Sequence, residues 1–104
     1  MNKNSKIFIA GHRGMVGSAI CRILQAEGYR NLITRPHNEL SLDAETDTND
    51  FFESEKPEYV ILAAAKVGGI SANIDYPADF ISQNLKIQLN VIQAAHKFRV
   101  KKLL

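Results

Sequence analysis

The chain has 104 residues, 45% of them hydrophobic and 23% charged, with a formal net charge of +2. That composition is one of a folded globular domain and excludes a disordered tail. The charge is too small, and Lys and Arg too scattered, for a nucleic-acid surface. At this length the chain is one domain or part of one.

Cys21 is the single cysteine and cannot close an internal disulfide, which favours a reducing compartment. The first six residues, MNKNSK, are polar, and the apolar run after them ends at Gly11, too short for the core of a signal peptide. No stretch approaches the roughly 20 apolar residues of a membrane span. The expectation is a cytoplasmic protein with no membrane and no nucleic-acid partner.

Ile7 to Ala10 reads as a short apolar strand that runs into Gly11, Gly14 and Gly17, spaced G-x-x-G-x-x-G. A glycine turn between a strand and a helix is the context that holds a nucleotide pyrophosphate. Gly11 makes the tight turn, Gly14 lets backbone approach the phosphates, and Gly17 allows close packing of helix on strand. The helix that follows carries Val16, Ala19, Ile20, Ile23 and Leu24 at helical spacing, a single face to pack on a sheet, and stops at Gly28. Cys21 sits among these positions, and with no histidine within a turn it reads as a buried, inert thiol.

Asn31 to Thr34 is a second short strand. The residue just past it, about 20 positions after the glycines, meets an adenosine ribose in such a fold: an acid there suits NAD, a base suits the extra phosphate of NADP. The chain has Arg35 there, then His37, with no carboxylate before Glu39. A guanidinium matches a phosphate with its planar fork, and Arg13, inside the glycine loop, can reach the same group. NADP is the expected cofactor.

Ser41 and Leu42 fall where an adenine ring would lie. Residues 43–55, DAETDTNDFFESE, form an acidic segment read as a short helix from near Ala44, with Asp43 as N-cap, Phe51 and Phe52 as anchors, and Pro57 past its end. Its carboxylates read as a solvated face; no histidine or cysteine joins them, and no metal is expected. Tyr59 to Ala65 is a third strand, an uninterrupted apolar run typical of parallel strands covered on both faces. It ends in Ala63, Ala64 and Ala65, then Gly68 and Gly69. Alanine packing explains the run, and room for a flat ligand explains it with the double glycine added. Lys66 faces either a phosphate or solvent.

Tyr76 to Arg99 is the longest helix, opened by Pro77. Its apolar stripe of Phe80, Ile81, Leu85, Leu89, Ile92 and Ala95, broadened by Ile87, Val91 and Phe98, is wide enough for cover by the sheet and by another subunit or segment. Asn84 and Asn90 interrupt it, and Asn84 needs a partner for its amide. His96 falls at the helix end that favours a cation. Lys101 to Leu104 reads as the start of a fourth strand.

Strands alternating with helices give a doubly wound parallel sheet of the Rossmann type, interrupted within its fourth strand. The usual order, 3-2-1-4, sets the fourth strand beside the first and leaves one wall of the binding crevice incomplete.

AGHRGMVGSAI, AAAKVGG and YPADFISQN, in this order and spacing, resemble the extended short-chain dehydrogenase/reductase family, and within it the epimerase/reductases of GDP-bound keto-sugars. The resemblance runs from Lys6 to Leu104. It implies NADPH chemistry that epimerises carbons 3 and 5 of the sugar and reduces carbon 4, in a homodimer. Carried over by residue, Gly11, His12, Arg13, Gly14, Met15, Val16 and Gly17 match the phosphate-binding loop. Arg35, His37, Asn38, Glu39, Leu40, Ser41 and Leu42 match the adenosine-ribose loop, Ala63 to Ala65 the strand end under the cofactor, and Asn84 the helix asparagine near the site.

The family's catalytic serine and Tyr-x-x-x-Lys have no match. Tyr29, Tyr59 and Tyr76 are followed four residues later by Ile33, Ala63 and Phe80, so none has the lysine that lowers a phenol's pKa from about 10. The expectation is an N-terminal NADP-binding part, residues 1–104, without catalytic residues or a substrate domain. The alternatives are a free-standing, non-catalytic NADP module, and part of another nucleotide-sugar epimerase or dehydratase.

Overall fold

The computed structural model describes residues 1–63 and 77–104, with side chains in the last segment from Ser82 onward. Four parallel strands form one sheet: β1 (Ile7–Ala10), β2 (Leu32–Ile33), β3 (Tyr59–Leu62) and β4 (Lys102–Leu103). Three helices complete the described chain: α1 (Met15–Ala26), α2 (Glu45–Glu55) and α3 (Pro77–Lys97). Each falls on a segment the sequence assigns to a helix, α1 and α3 by their apolar period and α2 by its anchors and the proline past its end.

The strand order is β2-β1-β3-β4, which corrects the expected 3-2-1-4. No strand forms between Thr34 and α2. Pro36 instead begins a turn in which its carbonyl accepts the Glu39 and Leu40 N–H groups, and α2 follows directly. The strand at Tyr59 is thus the next available, and it pairs with the open edge of β1 in the register Ile7 with Tyr59 through Ala10 with Leu62. The consequence reaches the site. Order reverses between β1 and β3, where a doubly wound sheet leaves its ligand crevice, so both flanking strands are present and neither wall depends on β4.

Right-handed crossovers put α1 on one face of the sheet and α2 and α3 on the other, where α2 and α3 pack together. Alternation along β1 divides its side chains accordingly. Phe8 and Ala10 join Leu40, Leu42, Phe51, Phe52, Val60, Val91, Ala94 and Ala95 in the main core. The Phe8 ring lies 4.5 Å from Phe51 and 5.9 Å from Phe52, the latter edge to face, a favoured aromatic geometry. Phe51 and Phe52 anchor α2 as the acidic segment's only large apolar side chains would require.

The α1 face departs from expectation. Ile7 and Ile9 are fully buried, but within α1 only Gly17 is. Val16 is 63% and Ile23 62% exposed. Of the five residues read as one apolar face packed on the sheet, Val16 and Ile23 are open and Ala19, Ile20 and Leu24 are half-buried. Cys21 is half-buried, and this desolvation pushes its thiol pKa up, with Arg22 acting weakly the other way.

Asp43 does not cap α2. Ala44 is the N-cap residue and its methyl group makes no capping hydrogen bond, while Asp43 accepts a hydrogen bond from Ser41 Oγ. On α3, Asn90 is buried and its Nδ2 donates to the Leu42 carbonyl at 3.0 Å. That bond ties the longest helix to the turn below the second strand. Tyr76 and the side chains of Phe80 and Ile81 lie outside the described residues.

Candidate dinucleotide site

The glycine turn is built by two constraints. Gly11 has φ +88°, open to glycine and strained for other residues. A Cβ on Gly17 would stand 1.9 Å from the Gly11 carbonyl oxygen and 2.7 Å from its carbon. Helix and turn can approach this closely only because that Cβ is absent. The Gly14 N–H donates to the Gly11 carbonyl at 3.0 Å and closes the turn. Gly14 then serves as the N-cap of α1, with no side-chain cap and no acid in the first turn. The positive end of the helix is left for an anion.

Beside the turn lies a cavity of about 390 Å³. Gly11, His12, Arg13 and Gly14 form one wall; Arg35, Pro36 and His37 come from the end of β2; Leu40, Leu42 and Asp43 come from the following turn; Gln83 and Ile87 come from α3. Two arginines and two histidines thus meet two buried leucines and an isoleucine. That pairing suits a ligand with an anionic part and a flat apolar part.

Arg35 is fixed at this rim. Its Nη1 donates to the Thr34 carbonyl at 2.8 Å, its Nη2 lies 3.3 Å from Glu55 Oε1, and its guanidinium carbon sits 5.5 Å from the Phe51 ring centre. With the Arg35 side chain 34% exposed, such a pair adds only about 0–1 kcal/mol of stability. Its effect is on orientation. The Asp43 carboxyl is held below its usual range first by the Ser41 hydroxyl, with burial opposing and His37 and Lys86 assisting. It is therefore an anion, and an acceptor, on the cavity wall at neutral pH.

Eight of the expected site residues line the cavity together: Gly11, His12, Arg13, Gly14, Arg35, His37, Leu40 and Leu42. Gly17 lies behind the turn. Met15 is 90% exposed, and Val16, Asn38 and Glu39 are exposed outside the cavity. Ser41 is half-buried and engaged with Asp43. Ala63 is half-buried, its N–H donating to the Ala10 carbonyl at 2.9 Å beside the β1–β3 crevice. Asn84 is half-buried on α3 and takes part in an interaction there. Ala64 and Ala65, with Lys66, Gly68 and Gly69, lie outside the described residues.

Pro36, Asp43, Gln83 and Ile87 join the wall without having been singled out from sequence as binding residues. For Gln83 and Ile87 a signal existed: they are four apart and share a helix face. Among the described residues, no three His, Cys, Asp or Glu side chains come together as a metal site would need.

Residues 7–104 match the family described as the NAD dependent epimerase/dehydratase family. The chain belongs to that family. It is 62% identical over 104 residues to the putative GDP-L-fucose synthase 2 of Arabidopsis thaliana, with 100% of this chain and 32% of that protein covered. It is 57% identical over 99 residues to the GDP-L-fucose synthase of Escherichia coli K12, covering 95% of this chain and 31% of that one. Among solved structures, MlghC, a GDP-mannoheptose C4 reductase from Campylobacter jejuni with NADP bound, superposes with a TM-score of 0.94 at 47% identity, covering 99% of this chain and 32% of that one. The chain thus spans about a third of the length of the curated relatives it matches.

Proposed function

We propose that this chain is the amino-terminal, NADP-binding part of an NADPH-dependent epimerase/reductase that converts GDP-4-keto-6-deoxy-D-mannose to GDP-L-fucose. The observation that carries the cofactor reading is the cavity rim, where Arg13 from the glycine turn and Arg35 from the end of β2 border the same space. A neutral ribose hydroxyl needs neither cation; a phosphate on it is matched by both. The fit extends to the uncapped N-terminus of α1, which leaves N–H groups for a pyrophosphate. In the bound state Gly11 to Gly14 hold the pyrophosphate, Arg13 and Arg35 the ribose phosphate, and Leu40 and Leu42 flank the adenine.

The cofactor, when bound, supplies the hydride for reduction at carbon 4. The residues of this chain bind and orient it. The substrate reading draws on the similarity to GDP-L-fucose synthases, and the sugar and its proton transfers require residues beyond this chain. A cytoplasmic setting agrees with the single cysteine, and no described helix is long and apolar enough to cross a membrane. A homodimer is supported by Leu85, Leu89 and Ile92, which stand 58%, 54% and 49% exposed along one stripe of α3.

Expressing the whole reading frame tests both halves of this proposal. Turnover of the GDP-keto-sugar with NADPH by a protein that sediments as a dimer is expected. Failure to turn it over would remove the substrate, and a monomer would remove the pairing.

A further inference from the structure

Glu55 is the last residue of α2, where the helix dipole disfavours a carboxylate, and no basic residue in that turn offsets it. Two cations from other parts of the chain do so. Lys6 Nζ lies 3.6 Å from Oε2, and Arg35 Nη2 lies 3.3 Å from Oε1. Because they use different oxygens, Lys6 balances the carboxylate's charge without displacing Arg35. Two cations share one anion, and a positive charge is left over at the cavity rim.

The guanidinium is gripped from three directions. Nη1 is spent on the Thr34 carbonyl, Nη2 on Glu55, and the plane rests near the Phe51 ring. An arginine carries five N–H donors in a rigid fork, so fixing the fork aims the remaining donors as well.

We propose that Glu55 is a positioning residue that sets the preference for a phosphorylated over an unphosphorylated adenosine ribose by holding the Arg35 fork at the cavity rim. This rests on the dinucleotide reading above. A carboxylate so near would otherwise repel a phosphate, and Lys6 is what makes its presence tolerable. Orientation and repulsion therefore predict opposite outcomes when Glu55 is removed.

The test is calorimetric titration of the protein expressed from its whole reading frame with NADP and, separately, with NAD, in the wild type, Glu55→Gln and Glu55→Ala. In Glu55→Ala the Arg35 side chain regains rotamer freedom, and NADP affinity falls about tenfold. NAD affinity stays within about twofold, since an unphosphorylated ribose makes no use of the fork. Glu55→Gln retains most of the NADP affinity because its amide oxygen still accepts from Nη2. Should Glu55→Ala not fold, Glu55→Asp keeps the charge, withdraws it from Arg35 by one methylene, and is expected to lose the preference too. An unchanged NADP-to-NAD ratio in Glu55→Ala overturns the role of Glu55 alone. Tighter NADP binding in both Gln and Ala variants also overturns it, by making Glu55 a competitor. A wild type that binds neither nucleotide overturns the dinucleotide reading and this inference with it.

Discussion

Gly14 and Gly17 stand three residues apart in one turn and answer to different constraints. At Gly17 the space is already filled by the Gly11 backbone. Gly17→Ala is expected to cost at least about 1–3 kcal/mol in a urea melt, the range of forced overpacking, since the clash is with main chain and cannot rotate away. Gly14 has φ −73° and ψ 167°, ordinary extended backbone, and an added Cβ would meet its nearest neighbour at 3.4 Å. Gly14→Ala should leave stability within about 0.5 kcal/mol, yet weaken dinucleotide binding, because the methyl would stand where the phosphates approach. A Gly14→Ala chain as destabilised as Gly17→Ala would show that the two glycines share a structural duty. The glycine spacing assigns these two parts by analogy with other dinucleotide turns; what it does not reveal is that the Gly17 constraint comes from the Gly11 main chain. Glu55 was less legible still: its partners Lys6 and Arg35 are distant in sequence, and the surrounding acids made it look like one more member of a solvated face.

Elements were legible where one period dominates and less so where a choice of neighbours decides. The apolar runs at Ile7 and Tyr59 fix two strands, but which edge β3 joins depends on whether residues 35–44 form a strand of their own. They form turns, held by Pro36 and by the Ser41–Asp43 bond, and the order changes accordingly. Along α3, Asn90 interrupts the stripe for a reason visible only in three dimensions. Its amide holds the Leu42 carbonyl, and so ties α3 to the turn that supplies Leu40 and Leu42 to the cavity. Asn90→Ala is expected to lower stability by about 1–3 kcal/mol, the cost of a buried acceptor losing its donor. Thr48 Oγ1, 3.3 Å from the same carbonyl but closer to Ala44 at 2.8 Å, can take up part of the loss. Thermal or urea melts measure it, and an unchanged midpoint would show the tether to be dispensable.

At the scale of the molecule, both strands that flank the ligand crevice are present, and the main core lies on the α2–α3 face of the sheet. The opposite face is thinner, with much of α1's apolar surface open at Val16 and Ile23. The parallel, doubly wound class was readable from the alternation of strands and helices, because that alternation leaves few chain paths. The burial of each helix was not, since the same periodicity serves a helix covered on one side or two. The measurement that bears most directly on the proposed function is calorimetric titration of the protein expressed from its whole reading frame with NADP, repeated with Arg35→Ala. Saturable NADP binding that Arg35→Ala weakens is the expected result. No binding at millimolar NADP, or binding indifferent to Arg35, would contradict the assignment of this cavity to a phosphorylated dinucleotide.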